Sequence, residues 1–290
     1  MKLLVTGAYG FTGQHLCALA TKSGYDVVRL KSDLMDRSSL AEEFILAKPD
    51  LVVHLGAVSF VGSPDKSSFY SVNVIGTTNL LDVISELPKT PDKVLLASSA
   101  NVYGNCDICP ISENVQPSPA NHYAASKFAM EQLSRNYSSK VPIIITRPFN
   151  YTGRGQHVNF IVPKLVHHFT KKKDSVSLGN ITVQREFNDV RMVCDLYLKL
   201  LKVGVPGEIY NVCSGDMYSL ETVIETLSKL TGHFLTVNVE AEFVRQNELK
   251  LLCGDPSKVM ELLKKNQITL KQLSLENTLQ TMLGQFENTY

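Results

Sequence analysis

The 290-residue sequence predicts an α/β fold in which a doubly wound parallel sheet carries a smaller, mostly C-terminal α/β lobe. Three observations support this prediction. Short apolar runs alternate with amphipathic stretches through the first half, a glycine-rich turn directly follows the first run, and this rhythm changes after Pro148. Apolar strands separated by helices are typical of a parallel sheet that is covered on both faces.

Five strands are predicted in the first half, at the segments KLLVTG, YDVVRL, DLVVHLG, KVLLASS and VPIIITRP. Helices are expected between them, over residues 11–22, 37–47, 68–87 and 122–139. In a parallel sheet of this kind, the loops at the carboxyl ends of the strands bind ligands. We therefore expect functional residues where these strands end.

The segment TGAYGFTG places Gly7, Gly10 and Gly13 between the first strand and the first helix. Glycine permits the tight turn and lets backbone N–H groups approach a pyrophosphate at the helix N-terminus. A plain glycine turn is the alternative, but the position directly after a strand favours nucleotide binding. The sequence thus predicts a Rossmann-type dinucleotide-binding domain.

The second half predicts a smaller lobe. A loop is expected over residues 150–158. Helices are expected over 159–171, 190–203, 219–230, 256–264 and 270–286, and short strands at 175–178 and 208–214. We assign residues 1–150 to the dinucleotide-binding domain, with returning segments near 181–215. Residues 151–180 and 216–290 are assigned to a substrate-binding lobe.

Charge and cysteine content exclude several classes of protein. A net charge of +1 gives no general attraction to nucleic acid or to a membrane, and no apolar run is long enough to span a bilayer. The N-terminus does not resemble a signal peptide, so we expect a cytoplasmic protein. Cys106 and Cys109 form a single C-x-x-C with no second pair, which predicts two loop thiols and no metal site.

Tyr123 and Lys127 lie four residues apart in the segment NHYAASKFAM, on one face of a predicted helix. An ammonium group near a phenol favours the phenolate and lowers the phenol pKa, so the two residues could form a proton-transfer pair. The spacing is common by chance, and by itself it leaves a pair on the helix surface equally open.

Seven segments occur in order: TGAYGFTG, HLGAVS, NVIGT, SSANVYG, YAASK, RPFNYTGRG and REFNDVR. Together they resemble the motifs of the extended short-chain dehydrogenase/reductases, the sugar-nucleotide epimerase and dehydratase group. The segments RPFNYTGRGQ and EIYNVCSG are most similar to the GDP-4-keto-6-deoxy-mannose reductases. The resemblance implies that Ser99, Tyr123 and Lys127 are catalytic. Tyr123 would protonate the developing alkoxide, Lys127 would lower its pKa and reach the nicotinamide ribose, and Ser99 would hydrogen-bond the carbonyl oxygen.

The sequence departs from two patterns within this family. The 4,6-dehydratases carry an acidic pair where this chain has Ala100 and Asn101, and the GDP-fucose synthases carry a cysteine and a histidine at the places aligned with Asn101 and Phe160. Without these proton-transfer groups, we expect neither dehydration nor epimerisation before reduction. A ketone reductase and a C4-epimerase remain.

The end of the second strand bears on the choice of cofactor. NAD enzymes usually have a carboxylate there, whereas this chain has Arg29 and Lys31, which suit the 2′-phosphate of NADPH. If both are ordinary surface charges, NADH is the alternative. With the resemblance, the expected cofactor-binding residues are Gly7, Gly10, Phe11, Thr12, Gly13, Arg29, Lys31, Asp33, Leu34, Leu55, Gly56, Ala57, Asn73, Tyr123 and Lys127.

The resemblance also implies a substrate site, formed by Ser59, Ser99, Asn150, Asn159, Arg185, Arg245 and Glu248. The two arginines would bind the diphosphate, although each alone is equally consistent with a surface ion pair. We expect an NADPH-dependent reductase of a GDP-linked 4-keto-6-deoxy-sugar, hexose or heptose, in surface polysaccharide biosynthesis. The alternatives are an NAD-dependent C4-epimerase and a non-catalytic cofactor-sensing protein. A homodimer through the helices near 68–87 and 122–139 is expected from the resemblance alone.

Overall fold

The computed structural model describes residues 1–60, 64–240 and 251–287. Its strands are β1 (Lys2–Thr6), β2 (Asp26–Arg29), β3 (Leu51–His54), β4 (Lys93–Ala97), β5 (Ile143–Pro148), β6 (Tyr151–Thr152), β7 (Ser175–Leu178), β8 (Gln184–Arg185), β9 (Asn188–Asp189), β10 (Ile209–Val212), β11 (Tyr218–Ser219), β12 (Thr236–Val239) and β13 (Leu251–Leu252). Six of them form one parallel sheet in the order β10-β5-β4-β3-β1-β2. The predicted parallel sheet is confirmed.

The helices are α1 (Phe11–Lys22), α2 (Arg37–Ala47), α3 (Ser67–Tyr70), α4 (Thr77–Glu86), α5 (His122–Ser134), α6 (Ile161–Thr170), α7 (Val190–Val203), α8 (Leu220–Thr231), α9 (Ser257–Lys265) and α10 (Leu275–Glu287). The helix predicted over 68–87 is α3 and α4 joined by a π-helical turn, Ser71–Gly76. The helix predicted to reach residue 139 ends at Ser134 and continues as one 3₁₀ turn. Within the described ranges, no helix has both the length and the apolar character that a membrane crossing requires.

Apolar side chains alternate between the two faces of the sheet. On β1, Leu3 and Val5 join the cluster with α1 and α7, whereas Leu4 joins the cluster with α2 and α4 on the other face. Helices on both faces leave no solvated side, which explains why the strands are continuously apolar.

The smaller lobe has a separate apolar cluster, with Val166 and Phe169 from α6, Val223 from α8 and Leu279 from α10. One part of our domain assignment differs from the structure. Helix α9, which we placed in the substrate-binding lobe, packs Val259 and Leu263 into the cluster on the six-stranded sheet. Its apolar residues lie one turn apart on the face towards the sheet. The rest of the division stays a prediction.

Candidate active site

The carboxyl ends of β1, β3, β4 and β5 open into a cavity of about 880 Å³. The glycine turn lines one side, and α5 and the end of β4 line another. Residues 155–157, 159–161 and 177–180 line the side of the smaller lobe. Most of the predicted site residues line this cavity: Gly7, Gly10, Phe11, Thr12, Gly13, Leu55, Ala57, Ser59, Ser99, Tyr123, Lys127, Asn150, Asn159 and Arg185.

The turn between β1 and α1 requires its glycines. Gly7 has a φ of +62°, and a Cβ atom on Gly13 would lie 2.2 Å from the Gly7 carbonyl oxygen. Helix α1 begins at Phe11 with no side-chain cap and no acidic residue in its first turn. The N-terminus of α1 therefore keeps its partial positive charge for an anion, and this geometry fits a dinucleotide pyrophosphate.

Ser99, Tyr123 and Lys127 meet at the end of β4. Tyr123 and Lys127 are only 9% and 4% exposed, so they are not a solvated pair on the helix surface. The Lys127 ammonium donates to the carbonyl oxygen of Ala97 at 2.7 Å. Ser99 is hydrogen-bonded to the Tyr123 phenol. The structure thus brings together the three residues that we expect to be catalytic.

Burial has the largest influence on these groups. It raises the pKa of the Tyr123 phenol, and the hydrogen bond with Ser99 opposes this shift. It also lowers the pKa of Lys127 to about 8, while the Glu131 carboxylate acts in the other direction. Our expectation that the pKa of Tyr123 is lowered was wrong for this structure. The Lys127 ammonium points to Ala97, and removing the phenol from water disfavours its charged form.

Two residues for which the motifs predicted no contact shape this cluster. The Asn101 backbone N–H and side-chain amide both donate to Ser99 Oγ, at 3.2 and 3.1 Å, which leaves the Ser99 proton available for donation. Tyr151 forms a hydrogen bond with Thr12 through its hydroxyl at 2.8 Å and stacks on Phe11. The motifs SSANVYG and RPFNYTG contained both residues, but motif comparison alone assigned them no contact.

Asn73, which we predicted to bind cofactor, does not line the cavity. It is 1% exposed, and its amide donates to the Val58 carbonyl and to Ser126 Oγ, both at 3.0 Å. Its carbonyl oxygen accepts from the Val58 N–H at 2.8 Å. Asn73 therefore positions the loop after β3, and the π-helical turn directs its side chain there.

Four further predicted residues also lie outside the cavity lining: Arg29, Lys31, Asp33 and Leu34. The Arg29 guanidinium lies 5.9 Å from the ring centre of Tyr9, which does line the cavity. The Glu43 carboxylate accepts from the backbone N–H groups of Lys31 and Ser32, and so fixes the loop after β2. Arg29 therefore lies at the edge of the cavity.

Asp33 and Leu34 have structural contacts instead. The Asp33 carboxylate accepts from the Met35 N–H at 2.9 Å, which closes a local turn. Leu34 is 8% exposed and packs against Gly56 and Gly76, where a Cβ atom would come within 3.0 Å of its side chain. Gly56 itself is not part of the cavity lining, and it supports the glycine turn from the neighbouring strand end.

The charged side chains among the described lining residues are cationic. Among the described lining residues are Lys127, Lys164 and Arg185, and there is no carboxylate and no cysteine. Such a lining suits an anionic ligand such as a sugar diphosphate. Two of the predicted substrate residues, Arg245 and Glu248, lie outside the described residues.

The parallel sheet, the glycine turn and the serine, tyrosine and lysine cluster define an NAD(P)-dependent oxidoreductase. Residues 3–213 match the NAD dependent epimerase/dehydratase family. GDP-6-deoxy-D-talose 4-dehydrogenase from Aggregatibacter actinomycetemcomitans is 37% identical over 91% of this chain and 91% of its own length. GDP-6-deoxy-D-mannose reductase from Pseudomonas aeruginosa is 31% identical over 93% of this chain and 94% of its own.

The solved structure of RMD from Pseudomonas aeruginosa complexed with NADPH has a TM-score of 0.90 to this chain, at 29% identity, and covers 100% of this chain and 99% of its own. This chain therefore belongs to the NAD dependent epimerase/dehydratase family, the extended short-chain dehydrogenase/reductases. The resemblance found in the sequence is confirmed.

Proposed function

We propose that this protein uses NADPH to reduce the 4-keto group of a GDP-linked 4-keto-6-deoxy-sugar, hexose or heptose. It would do so as a cytoplasmic homodimer in surface polysaccharide biosynthesis. The names of the two curated relatives support the GDP-linked deoxy-sugar, and the neighbouring structure with NADPH supports the cofactor. The position of Arg29 beside Tyr9 in the glycine turn agrees with a 2′-phosphate.

One observation favours reduction over the other reactions of the family. Tyr123 faces the cavity beside Ser99, but the described lining residues include no carboxylate or thiol that could exchange a carbon-bound proton. The places where relatives carry such groups hold Ala100, Asn101 and Phe160, and all three line the cavity. The described part of the site thus holds groups that protonate an oxygen, and the positions where relatives carry a group that removes a carbon-bound proton lack one.

The residues around the carbonyl oxygen would have separate roles in the reduction. Bound NADPH supplies the hydride that reduces the sugar carbonyl. Asn101 holds the Ser99 hydroxyl, which stabilises the negative charge that develops on the carbonyl oxygen. Tyr123 donates its proton to that oxygen, while Lys127, one helical turn away, is held by the Ala97 carbonyl oxygen. The raised pKa of Tyr123 keeps the phenol protonated until the oxygen becomes basic.

The two curated relatives leave the configuration of the product open. Talose and mannose differ at C4, so a talose enzyme and a mannose enzyme place the ketone with opposite faces towards the nicotinamide. The test is to mix the protein with NADPH and freshly made GDP-, dTDP- and CDP-linked 4-keto-6-deoxy-sugars, follow NADPH absorbance, and assign C4 of the product by NMR. We expect NADPH consumption that is fastest with the GDP-linked sugar. Turnover of an unmodified nucleotide sugar with bound NAD, and none of the ketones, would instead show a C4-epimerase.

A further inference from the structure

Three residues on one face of α5 pair with three successive residues at the end of β4. Lys127 donates to the carbonyl oxygen of Ala97, and Tyr123 is hydrogen-bonded to Ser99. The residue between them, Ser98, donates its hydroxyl proton to Glu131, one helical turn beyond Lys127. The residues at 123, 127 and 131 therefore form one continuous row along the strand end.

Glu131 is part of a buried ion pair behind this row. Its carboxylate accepts from Arg147 Nε at 3.0 Å and from Arg147 Nη2 at 2.6 Å, and the two side chains are 0% and 2% exposed. The Arg147 guanidinium also lies 4.8 Å from the ring centre of Tyr103, which fixes it from the other side. Charges this deep in the protein are poorly screened, and the two members of the pair act in opposite directions on a neighbouring charge.

We infer that Glu131 is a positioning residue that keeps the Lys127 ammonium charged while its reaction partners bind and leave. This assignment rests on the proposed function for the role of Lys127 in turnover. The carboxylate lies four residues from Lys127 on the same helix face, and Arg147 and Ser98 hold it there. Sequence motifs gave Glu131 no role, because its partners are on β4 and β5.

Other titratable groups around Lys127 do not replace this charge. His54, at the end of β3, is buried, and its pKa is lowered by burial and by the Lys127 charge, while Tyr123 is a phenol whose pKa burial raises. Tyr103 and Arg147 lie beyond Glu131. Glu131 is thus the carboxylate that favours the charged form of Lys127 against its burial.

The test is the titration of Lys127 itself, measured by NMR on protein labelled with [13Cε]lysine, with Lys127→Arg identifying the resonance. We expect Glu131→Gln to lower the midpoint of Lys127 by about one pH unit. The alkaline limb of the kcat profile should move in the same direction. Because the NMR midpoint needs no substrate, a failure of the proposed reductase activity would be seen separately, as absence of turnover in the parent protein.

Two further variants keep the inference falsifiable. Glu131→Gln alone leaves a buried guanidinium without its partner, so Glu131→Gln/Arg147→Met removes both charges. Glu131 shares a helix face with Lys127, so we expect the midpoint to fall in the double variant as well, by less than in Glu131→Gln because the opposing Arg147 charge is also removed. Ser98→Ala removes only a hydrogen bond and should leave the midpoint as in the parent. An unchanged Lys127 midpoint in a folded Glu131 variant would overturn the inference.

Discussion

At Tyr123, burial and hydrogen bonding act in opposite directions on the phenol proton, and the net pKa is raised. We predict that Tyr123→Phe lowers kcat by about 10²–10⁴-fold, because general acid catalysis contributes this much. NADPH affinity, measured by fluorescence, should change little. Tyr25→Phe is the matched control, since Tyr25 lies outside the cavity lining, and it should retain turnover. A Tyr123→Phe variant as active as this control would remove Tyr123 from the mechanism.

His54 is a buried histidine whose tautomer follows from its partners. Thr77 donates its hydroxyl proton to the Asn73 carbonyl, so it must accept from His54 Nε2 at 2.9 Å. Thr6 Oγ1 already accepts from two backbone N–H groups, so its proton goes to His54 Nδ1 at 2.7 Å. Neutral His54 with its proton on Nε2 therefore donates to Thr77 and accepts from Thr6. A second proton, on Nδ1, would point at the hydroxyl proton of Thr6.

Stability should consequently depend on pH through His54. Burial, with a smaller effect of the Lys127 charge, lowers its pKa from 6.5 to about 3. Below the unfolded-state pKa the unfolded chain takes up a proton that the folded chain does not, so stability is lost as pH falls from 6.5 towards 3. We expect His54 to account for about 2 kcal/mol of loss between about pH 6.5 and pH 5.

Urea unfolding at both pH values gives the free energy of unfolding of the parent and of His54→Gln. The contribution of His54 is the difference between the two proteins in the slope of this free energy against pH. His233→Gln, on the smaller lobe, is the control and should keep the slope of the parent. Equal slopes in the parent and in His54→Gln would show that His54 takes up its proton in the folded state as well.

At the scale of the elements, one carboxylate joins three segments of the chain. Glu186, between β8 and β9, is 0% exposed and accepts from the Gly254 N–H at 2.6 Å and the Ser214 N–H at 2.9 Å. The side-chain amide of Asn188 donates to it at 2.8 Å. Its neighbour Arg185 lines the cavity. Glu186 therefore fixes the segment that carries a substrate residue onto the loops that follow β10 and β13.

We predict that Glu186→Gln lowers the free energy of unfolding by about 1–3 kcal/mol, because a neutral amide presents donors to groups that are themselves donors. KM for the sugar nucleotide should rise while NADPH affinity stays unchanged, since the hydrogen-bond partners of Glu186 named above do not belong to the glycine turn. Glu261→Gln, on an exposed position of α9, is the control. A Glu186 variant with parental stability and KM would contradict this account.

Helices and strands with a long periodic pattern of apolar residues were predictable from the sequence. Motifs also predicted residues that line the cavity, such as Gly13, Ser99 and Tyr123. Strands of two residues, such as β8, β9 and β13, carry no periodicity and were missed. The contacts of Glu43 and Glu131 depend on how distant segments fold together, so no local pattern reveals them. The direction of the Tyr123 pKa depends on burial, which spacing does not give.

At the scale of the whole molecule, α3, the π-helical turn and α5 present apolar side chains to solvent. Tyr70, Ile75 and Leu133 are 40%, 50% and 41% exposed. We predict a dimer through this surface, detected by light scattering, and expect Ile75→Glu to weaken it by at least about tenfold because a buried charge would face the partner. Ile45→Glu on α2, where Ile45 is 56% exposed, is the control. A monomeric parent protein would contradict the prediction.

We propose above that this chain transfers one hydride to the C4 carbonyl of a GDP-linked 4-keto-6-deoxy-sugar. The most direct measurement uses NADPH carrying deuterium at the transferred position, followed by mass spectrometry and NMR of the sugar product. We predict a single deuterium at C4, one NADPH consumed for each product, and loss of the label transfer in Tyr123→Phe. Product without deuterium, or interconversion of unmodified nucleotide sugars with no net use of NADPH, would contradict the claim.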